Sequence, residues 1–203
     1  MQEPQFQQQL QQQLAFIAEM DRLKAVYRQT TVKEDGDRFE NSAEHSWHIA
    51  LMAHVFAPLV GEPVDINRAC LMLLLHDIVE IDAGDTFAFA SAADIAAKAD
   101  KESEAADRLF GLLPSSQAMD YRALWQEYED AESADARFAK AMDCLLPLIQ
   151  NMNNEGGSWR RHQVSRSKVL KRNQYLEHSA PRLWAYALEQ IDLALANGWL
   201  TDD

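Results

Sequence analysis

Three ionisable side chains, His76, Asp77 and Glu80, stand directly after the apolar run LMLLL at positions 71–75. Burying charged groups against that much hydrocarbon is costly unless a partner or a metal compensates. Glu80 follows His76 by four residues and Asp77 by three, so one helix would direct all three side chains into one pocket. The pattern indicates either a solvated helix end or a metal site with an acid/base carboxylate beside it.

Two further ionisable residues, His45 and Asp143, fall on largely apolar helical patterns. An aspartate in mid-helix caps no backbone group, so Asp143 needs a cation, which is a lysine, an arginine or a metal. Together with His76 and Asp77, these residues offer two imidazoles and two carboxylates. That donor set suits one divalent transition metal, such as Mn, Co, Fe, Zn or Ni.

A metal held by nitrogen and oxygen ligands polarises a phosphoryl oxygen and lowers the pKa of a bound water molecule. Hydrolysis of a phosphate ester is the natural chemistry for such a site. Glu80 and Asp85, just downstream of the histidine, are then available for proton transfer or for orienting the water.

Helices must position these residues, because apolar residues recur at spacings of three and four along most of the chain. Asn41, with Glu44 three residues later, predicts an N-cap, and Asp65 predicts another. Residues 29–41 are expected to form a loop, and no alternation is long enough to predict a sheet. The predicted class is all-α, with one domain over residues 1–203. The predicted helices cover about 5–28, 42–59, 65 to 82–84, 92–110 after Ser91, 115–128, 134–153, 160–176 and 181–196.

The composition excludes several classes of function. The net charge of −13 argues against broad binding of nucleic-acid polymers, although a small anionic substrate remains compatible with local basic residues. Cys70 and Cys144 lie in apolar patterns, so we expect no disulfide and a reducing compartment. No apolar run approaches the roughly 20 residues of a membrane span. We therefore expect a soluble, cytoplasmic protein without a membrane partner.

The order of His45, then His76-Asp77 after an apolar helix, then Asp143 resembles the HD-domain metal-dependent phosphohydrolases. Within them, the chain is similar to the 5′-deoxynucleotidase branch over about residues 14–150. The C-terminal helices, about 159–200, resemble those of a related bacterial subgroup. The segments that carry the resemblance are Asp21-Arg22-Leu23-Lys24 with Arg28, Arg38 to Ser46, His76-Asp77 with Glu80, Gly84-Asp85, and Asp143.

The resemblance implies an HD-domain helical bundle, commonly dimeric, that acts on nucleoside 5′-monophosphates. It also implies roles for individual residues, although it does not divide the two catalytic roles between Glu80 and Asp85. The implied metal ligands are His45, His76, Asp77 and Asp143, and the implied catalytic carboxylates are Glu80 and Asp85.

Arg28 matches the arginine that family members place near the substrate phosphate. Lys24, Gln29 and Trp47 are the other candidate substrate contacts. The deoxy-selective branch has a tryptophan directly after that arginine, packed against the sugar, whereas this chain has Gln29. The loop at 86–89 also lacks the prolines of that branch, so preference for sugar or base is expected to differ.

Other interpretations stay open at this point. The same site would serve another small phosphate ester or a nucleotide phosphodiester, or a regulator that binds nucleotide without turnover. Buried histidines and aspartates also hydrogen-bond each other in proteins without a metal. The presence of both Glu80 and Asp85 favours an enzyme. His48 and His54 are expected to be structural or surface groups. The seven basic residues from Arg160 to Arg182 are expected to form a solvated face or part of a phosphate pocket.

Overall fold

The computed structural model of the chain describes residues 3–90 and 92–202. Within that part of the chain, eleven α-helices and one pair of strands make up the regular structure, together with short 3-10 turns. The strands are β1 (Tyr27–Val32) and β2 (Arg38–Asn41). The helices are α1 (Glu3–Glu19), α2 (Ser42–Phe56), α3 (Ile66–Leu75), α4 (Glu80–Ala83), α5 (Ala92–Phe110), α6 (Ser115–Asp130), α7 (Ala134–Asn153), α8 (Gly157–Arg161), α9 (Arg166–Asn173), α10 (Leu176–Ser179) and α11 (Pro181–Ala196).

The predicted all-α class is confirmed, but the prediction of a loop over residues 29–41 is wrong. β1 and β2 pair antiparallel, with Val32 opposite Arg38 and Tyr27 opposite Asn41. The sequence of β1, YRQTTV, is rich in the aromatic and β-branched residues that favour strands, and Gly36 takes a positive φ in the turn. Arg28 therefore lies on a strand rather than at a helix end.

The core holds α2, α3 and α7 together. Side chains that are almost completely buried come from all three helices, including Ile49, Met72, Leu73, Met142 and Leu145. Each such side chain stabilises the fold by about 1.5–3 kcal/mol relative to an exposed one. The backbone segments that carry the histidines and Asp143 are thus fixed by packing of their apolar neighbours.

The helix predicted from Asp65 to residues 82–84 is shorter than expected. Asp65 is the predicted N-cap, and its side chain accepts hydrogen bonds from the backbone N–H groups of Asn67 and Arg68 at 3.0 and 3.1 Å. The α-helix ends at Leu75, and a turn leads into α4, with the Glu80 N–H donating to the Asp77 carbonyl at 3.0 Å. His76 and Asp77 therefore sit in a turn and Glu80 begins α4, so tertiary packing overrides the continuous helical pattern.

Other boundaries also differ from the sequence prediction. The first helix ends at Glu19 and tightens into a 3-10 helix over Met20–Ala25, a common form at helix ends. The helix predicted over 160–176 is divided among three short helices, and Gln163, with a positive φ, lies at the first break. The predicted cap Ser91 lies outside the described residues. Neither cysteine forms a disulfide, and no described helix is long and apolar enough to cross a membrane.

Candidate metal centre

Local structure fixes the position of His45 in the first turn of α2. The Asn41 side chain accepts from the Glu44 N–H at 3.0 Å, and the Glu44 carboxylate accepts from the Asn41 N–H at 3.2 Å. This reciprocal capping box, as the sequence predicts, satisfies two backbone donors that the helix leaves unpaired. It holds the turn in which His45 points into the protein.

The structure brings His45, His76 and Asp143 together. One ligand atom from each lies within 4.8 Å of the other two, and all three residues are buried. The Asp143 Oδ1 atom lies 3.0 Å from His45 Nε2 and 3.8 Å from His76 Nε2. Helices α2 and α7 and the turn after α3 therefore converge on one point.

The His76 ring is oriented as a metal ligand. Its Nδ1–H donates to the Leu73 carbonyl oxygen at 2.8 Å, so Nε2 faces the cluster. Nε2 is buried without a hydrogen-bond partner in the described structure, 2.9 Å from Asp77 Oδ1. A cation between Nε2 and the carboxylate oxygens would satisfy all of these atoms. The residues present thus fit a divalent transition metal.

Asp77 and Asp143 share one arrangement. Each directs Oδ1 towards the histidines and binds an arginine through Oδ2: Arg28 Nη1 donates to Asp77 at 2.7 Å, and Arg172 Nη2 donates to Asp143 at 3.0 Å. Burial favours the neutral acids, but nearby His76 and Arg28 hold the pKa of Asp77 below its usual range. Arg172, helped by His45, does the same for the pKa of Asp143. Both carboxylates therefore stay ionised, as metal ligands must.

Glu40 forms a second layer behind His45, which the sequence analysis did not assign. Its Oε2 lies 3.5 Å from His45 Nδ1 and 3.8 Å from Arg28 Nε, and its Oε1 accepts from Gln150 Nε2 at 2.7 Å. Burial opposes charge on the His45 ring, yet the hydrogen-bonding carboxylates Asp143 and Glu40 raise its pKa. A carboxylate behind a ligating histidine orients the ring and strengthens it as a ligand.

Glu80 and Asp85 lie beside this cluster as a pair of carboxyl groups. Burial raises the pKa of Glu80 well above its usual range, and the charge of Asp77 adds to the effect. Burial also raises the pKa of Asp85, which is hydrogen-bonded with Glu80. The Ser42 hydroxyl donates to Glu80 Oε2 at 2.7 Å and fixes its orientation. The pair is therefore suited to hold and transfer a proton.

A cavity of about 320 Å³ borders these groups. Gln29 also lines it, and its side chain lies 3.1 Å from His162 Nε2. Two of the predicted substrate contacts lie elsewhere. Lys24 is exposed and pairs with Asp21 at 2.5 Å, and Trp47 is 63% exposed on the outer side of α2. Of the predicted site residues, those that line the cavity are Arg28, Gln29, His76, Asp77, Glu80, Asp85 and Asp143.

Comparison with known proteins finds a matching family model and curated relatives. A model of the HD domain family matches residues 20–184. The human 5′-deoxynucleotidase HDDC2 is 32% identical over 140 residues, which cover 68% of this chain and 65% of the human protein. The chain thus spans just under two thirds of that relative. A 5′-deoxynucleotidase of Yersinia pestis is 30% identical over 152 residues, covering 69% of this chain and 76% of the relative.

Solved structures give a similar result. A protein of Magnetospirillum magnetotacticum MS-1, described as a predicted metal-dependent phosphohydrolase, is 51% identical and superposes with a TM-score of 0.89. The superposition covers 95% of this chain and 96% of that one. An HD-domain phosphohydrolase of Listeria innocua, 15% identical, shares the fold with a TM-score of 0.59 over 90% of this chain and 85% of its own.

Proposed function

This chain belongs to the HD domain family, and on that premise we propose that it is a metal-dependent phosphohydrolase that releases phosphate from nucleoside 5′-monophosphates. The observation that carries the proposal is the meeting of two kinds of group at one cavity. A buried cluster of metal-ligating atoms, from His45, His76 and Asp143, lies next to the proton-sharing pair Glu80 and Asp85. A protein that only binds nucleotide has no use for the carboxyl pair.

The side chains present divide the work between holding the metal and moving protons. His45, His76, Asp77 and Asp143 would hold one divalent transition metal, which when bound lowers the pKa of a water molecule and polarises a phosphoryl oxygen. Arg28, fixed by its hydrogen bond to Asp77, would bind the substrate phosphate.

The Glu80 and Asp85 pair would supply both proton-transfer roles. Of the two, Glu80 has the pKa that burial raises well above its usual range, so we assign to it the proton that would go to the departing sugar oxygen. Asp85, bound to Glu80, would take the proton of the attacking water. This division between the two carboxyl groups is part of the proposal.

We place the sugar next to Gln29 and propose that the 2′-hydroxyl is tolerated. Gln29 lines the cavity, its backbone carbonyl oxygen accepts from Arg161 Nη1 at 3.3 Å, and its side-chain Oε1 lies 3.1 Å from His162 Nε2. An amide side chain offers both a donor and an acceptor to a hydroxyl group, whereas an aromatic face offers neither. We therefore expect release from ribonucleotides and deoxyribonucleotides alike.

A substrate panel tests the proposed activity. Phosphate release is measured from ribo- and deoxyribonucleoside 5′-monophosphates, a sugar phosphate and a nucleotide phosphodiester, each with Mn²⁺, Co²⁺ and Mg²⁺. The variants His76→Ala and Glu80→Ala should abolish release. The matched control for the first is His54→Ala, because His54 is an exposed histidine on α2 and should leave release unchanged.

The outcomes separate the alternatives. Release only from the sugar phosphate or the phosphodiester would replace the nucleotide substrate but keep the metal site. Metal binding without release from any compound would favour a nucleotide-binding regulator. Elemental analysis of the purified protein identifies the native metal.

We also propose that the protein is a homodimer that uses the outer face of α2. Trp47, Leu51 and Val55 follow one another at intervals of four, so they share one side of the helix, and each is 49–63% exposed. Contiguous exposed apolar side chains of this kind are typical of interaction sites. Leu51→Glu should lower the mass measured by light scattering to that of a monomer, whereas Met119→Glu, at an exposed methionine on α6, should not.

The remaining proposals concern domains, compartment and partners. The described core is continuous from Phe16 to Leu200, which favours one domain over the whole chain. The cytoplasm remains the proposed compartment because Cys70 and Cys144 are both free thiols. The proposed partner is a small phosphate ester rather than a nucleic-acid polymer or a membrane.

A further inference from the structure

Arg172 is the one member of the basic C-terminal segment that reaches the metal cluster among the contacts described. It lies on α9, and its Nη2 atom donates to Asp143 Oδ2 at 3.0 Å. Its side chain lines the same cavity as Arg28 and is 36% exposed. Arg28 approaches Asp143 from the other oxygen, with Nη2 at 3.9 Å from Oδ1. Two guanidinium groups are thus separated by a single carboxylate.

Arg28 binds Asp77 more closely than Asp143, whereas Asp143 is the hydrogen-bonded carboxylate of Arg172. Cys144 and Asp143 raise the pKa of Arg172, and the like charge of Arg28 opposes that rise. A divalent cation on the inner oxygens of Asp77 and Asp143 would neutralise those carboxylates. Arg28 would then keep only Glu40, at 3.8 Å from its Nε, and Arg172 would share its partner with the metal. An anion with more than one negative charge would stabilise the two guanidinium groups in that state.

The other basic side chains of the cavity already have acidic partners. Lys98 pairs with Glu102 at 2.9 Å, and Lys140 pairs with Glu129 at 3.0 Å. Glu102 and Glu129 are not among the proposed metal ligands, so a bound metal would leave both lysines paired. The partners of the two arginines, Asp77 and Asp143, are proposed ligands, and this difference singles out the arginines as the anion-binding groups.

We propose that Arg172 is a second phosphate-binding residue, which together with Arg28 clamps the dianionic phosphoryl group of a phosphomonoester. The inference rests on the proposed function of the same site. It adds that the site binds phosphomonoesters in preference to phosphodiesters. A phosphodiester carries one negative charge and one fewer free oxygen, so it would leave one arginine without a partner. Planar guanidinium groups match two oxygens of such a group.

Calorimetric titration of inorganic phosphate into the protein saturated with Mn²⁺ tests the inference without requiring turnover. Arg172→Gln should weaken phosphate binding about 10- to 100-fold, the value of one hydrogen bond to a charged group. Dimethyl phosphate, a monoanion, should lose much less affinity. Arg166→Gln is the matched control, because Arg166 lies on the same helix with 35% exposure but pairs with Asp192 at 2.8 Å.

Each outcome decides the question. Unchanged phosphate affinity in Arg172→Gln at saturating Mn²⁺, or an equal loss for dimethyl phosphate, overturns the inference. If Arg172→Gln lowers the affinity for Mn²⁺ but not the affinity for phosphate, Arg172 only positions Asp143. That result also overturns the inference. If Arg172→Gln does not fold by circular dichroism, Arg172→Lys keeps the charge but loses the two-oxygen contact, and it should show a smaller loss in the same titration.

The test also separates this inference from the proposed activity. If no nucleotide releases phosphate but Arg172→Gln still loses phosphate affinity, the proposed substrate fails and the clamp stands. If nucleotides release phosphate and Arg172→Gln binds phosphate as the unmodified chain does, the clamp fails and the proposed activity stands.

Discussion

Glu40 provides the sharpest test of how the fold prepares the metal centre. It is buried at the end of β2, with Oε2 at 3.5 Å from His45 Nδ1 and Oε1 bound to Gln150 Nε2 at 2.7 Å. The substitution Glu40→Gln keeps the size of the side chain but leaves one carbonyl oxygen for two donors. The new amide NH₂ group can accept neither from His45 Nδ1 nor from Gln150 Nε2, and it carries no negative charge to hold the imidazole.

The size of the effect follows from these contacts. A buried donor that loses its acceptor destabilises the fold by about 1–3 kcal/mol. Loss of the group that orients a metal-ligating histidine lowers metal affinity by about 10- to 100-fold. We therefore expect Glu40→Gln to bind Mn²⁺ about 10- to 100-fold more weakly and to unfold at lower urea concentration.

The assay is calorimetric titration with Mn²⁺, paired with urea unfolding of the metal-free protein. Glu44→Gln is the control, because it makes the same chemical change four residues away. Glu44 caps α2 and pairs with Arg38, and 38% of its side chain is exposed, so it should change stability but not metal affinity. If Glu40→Gln binds Mn²⁺ as tightly as the unmodified chain does, Glu40 has no orienting role, and the argument from the second layer is refuted.

Three further variants probe the same site. His76→Ala should reduce Mn²⁺ affinity more than about 100-fold in the same titration, since it removes a ligand rather than the partner of a ligand. Mn²⁺ should then no longer raise the unfolding temperature of this variant. Glu80→Gln should stabilise the metal-free protein at pH 8 but not at pH 4, as measured by urea unfolding. The raised pKa of Glu80 means that the native state keeps a proton that the unfolded state releases, so the stability of the unmodified chain falls as pH rises from the ordinary glutamate pKa towards the raised one. Asn41→Ala should cost about 1 kcal/mol of unfolding free energy by loss of the cap, and nuclear magnetic resonance should show a disordered first turn around His45.

The sequence was sufficient to select the central residues because their signal is local. His45, His76 and Asp143 each place a polar group within a helical apolar pattern, and a buried polar group needs a partner whatever the fold. The capping residues Asn41 and Asp65 were predictable for the same reason, since a cap acts on backbone groups two or three residues away.

Glu40 and Arg172 could not be found in this way because their roles depend on distant partners. The hydrogen bond between Glu40 and Gln150 joins residues that are 110 positions apart, and the one between Arg172 and Asp143 joins residues that are 29 positions apart. β2 has only four residues. The alternation between exposed Phe39 and buried Glu40 is therefore too brief to predict a strand from the sequence. Arg172 stands among other basic residues, and only the fold distinguishes it from those that face solvent.

The charge distribution explains how a strongly acidic protein can use an anionic substrate. The net charge of −13 repels polyanions, whose many phosphates must lie along the surface. That repulsion is screened over about 8 Å at physiological salt. On the proposed function, a mononucleotide that has entered the cavity would instead meet Arg28 and Arg172 directly. The acidic surface would then disfavour long nucleic acids while the two arginines of the cavity bind a single phosphate, which a basic surface would not achieve.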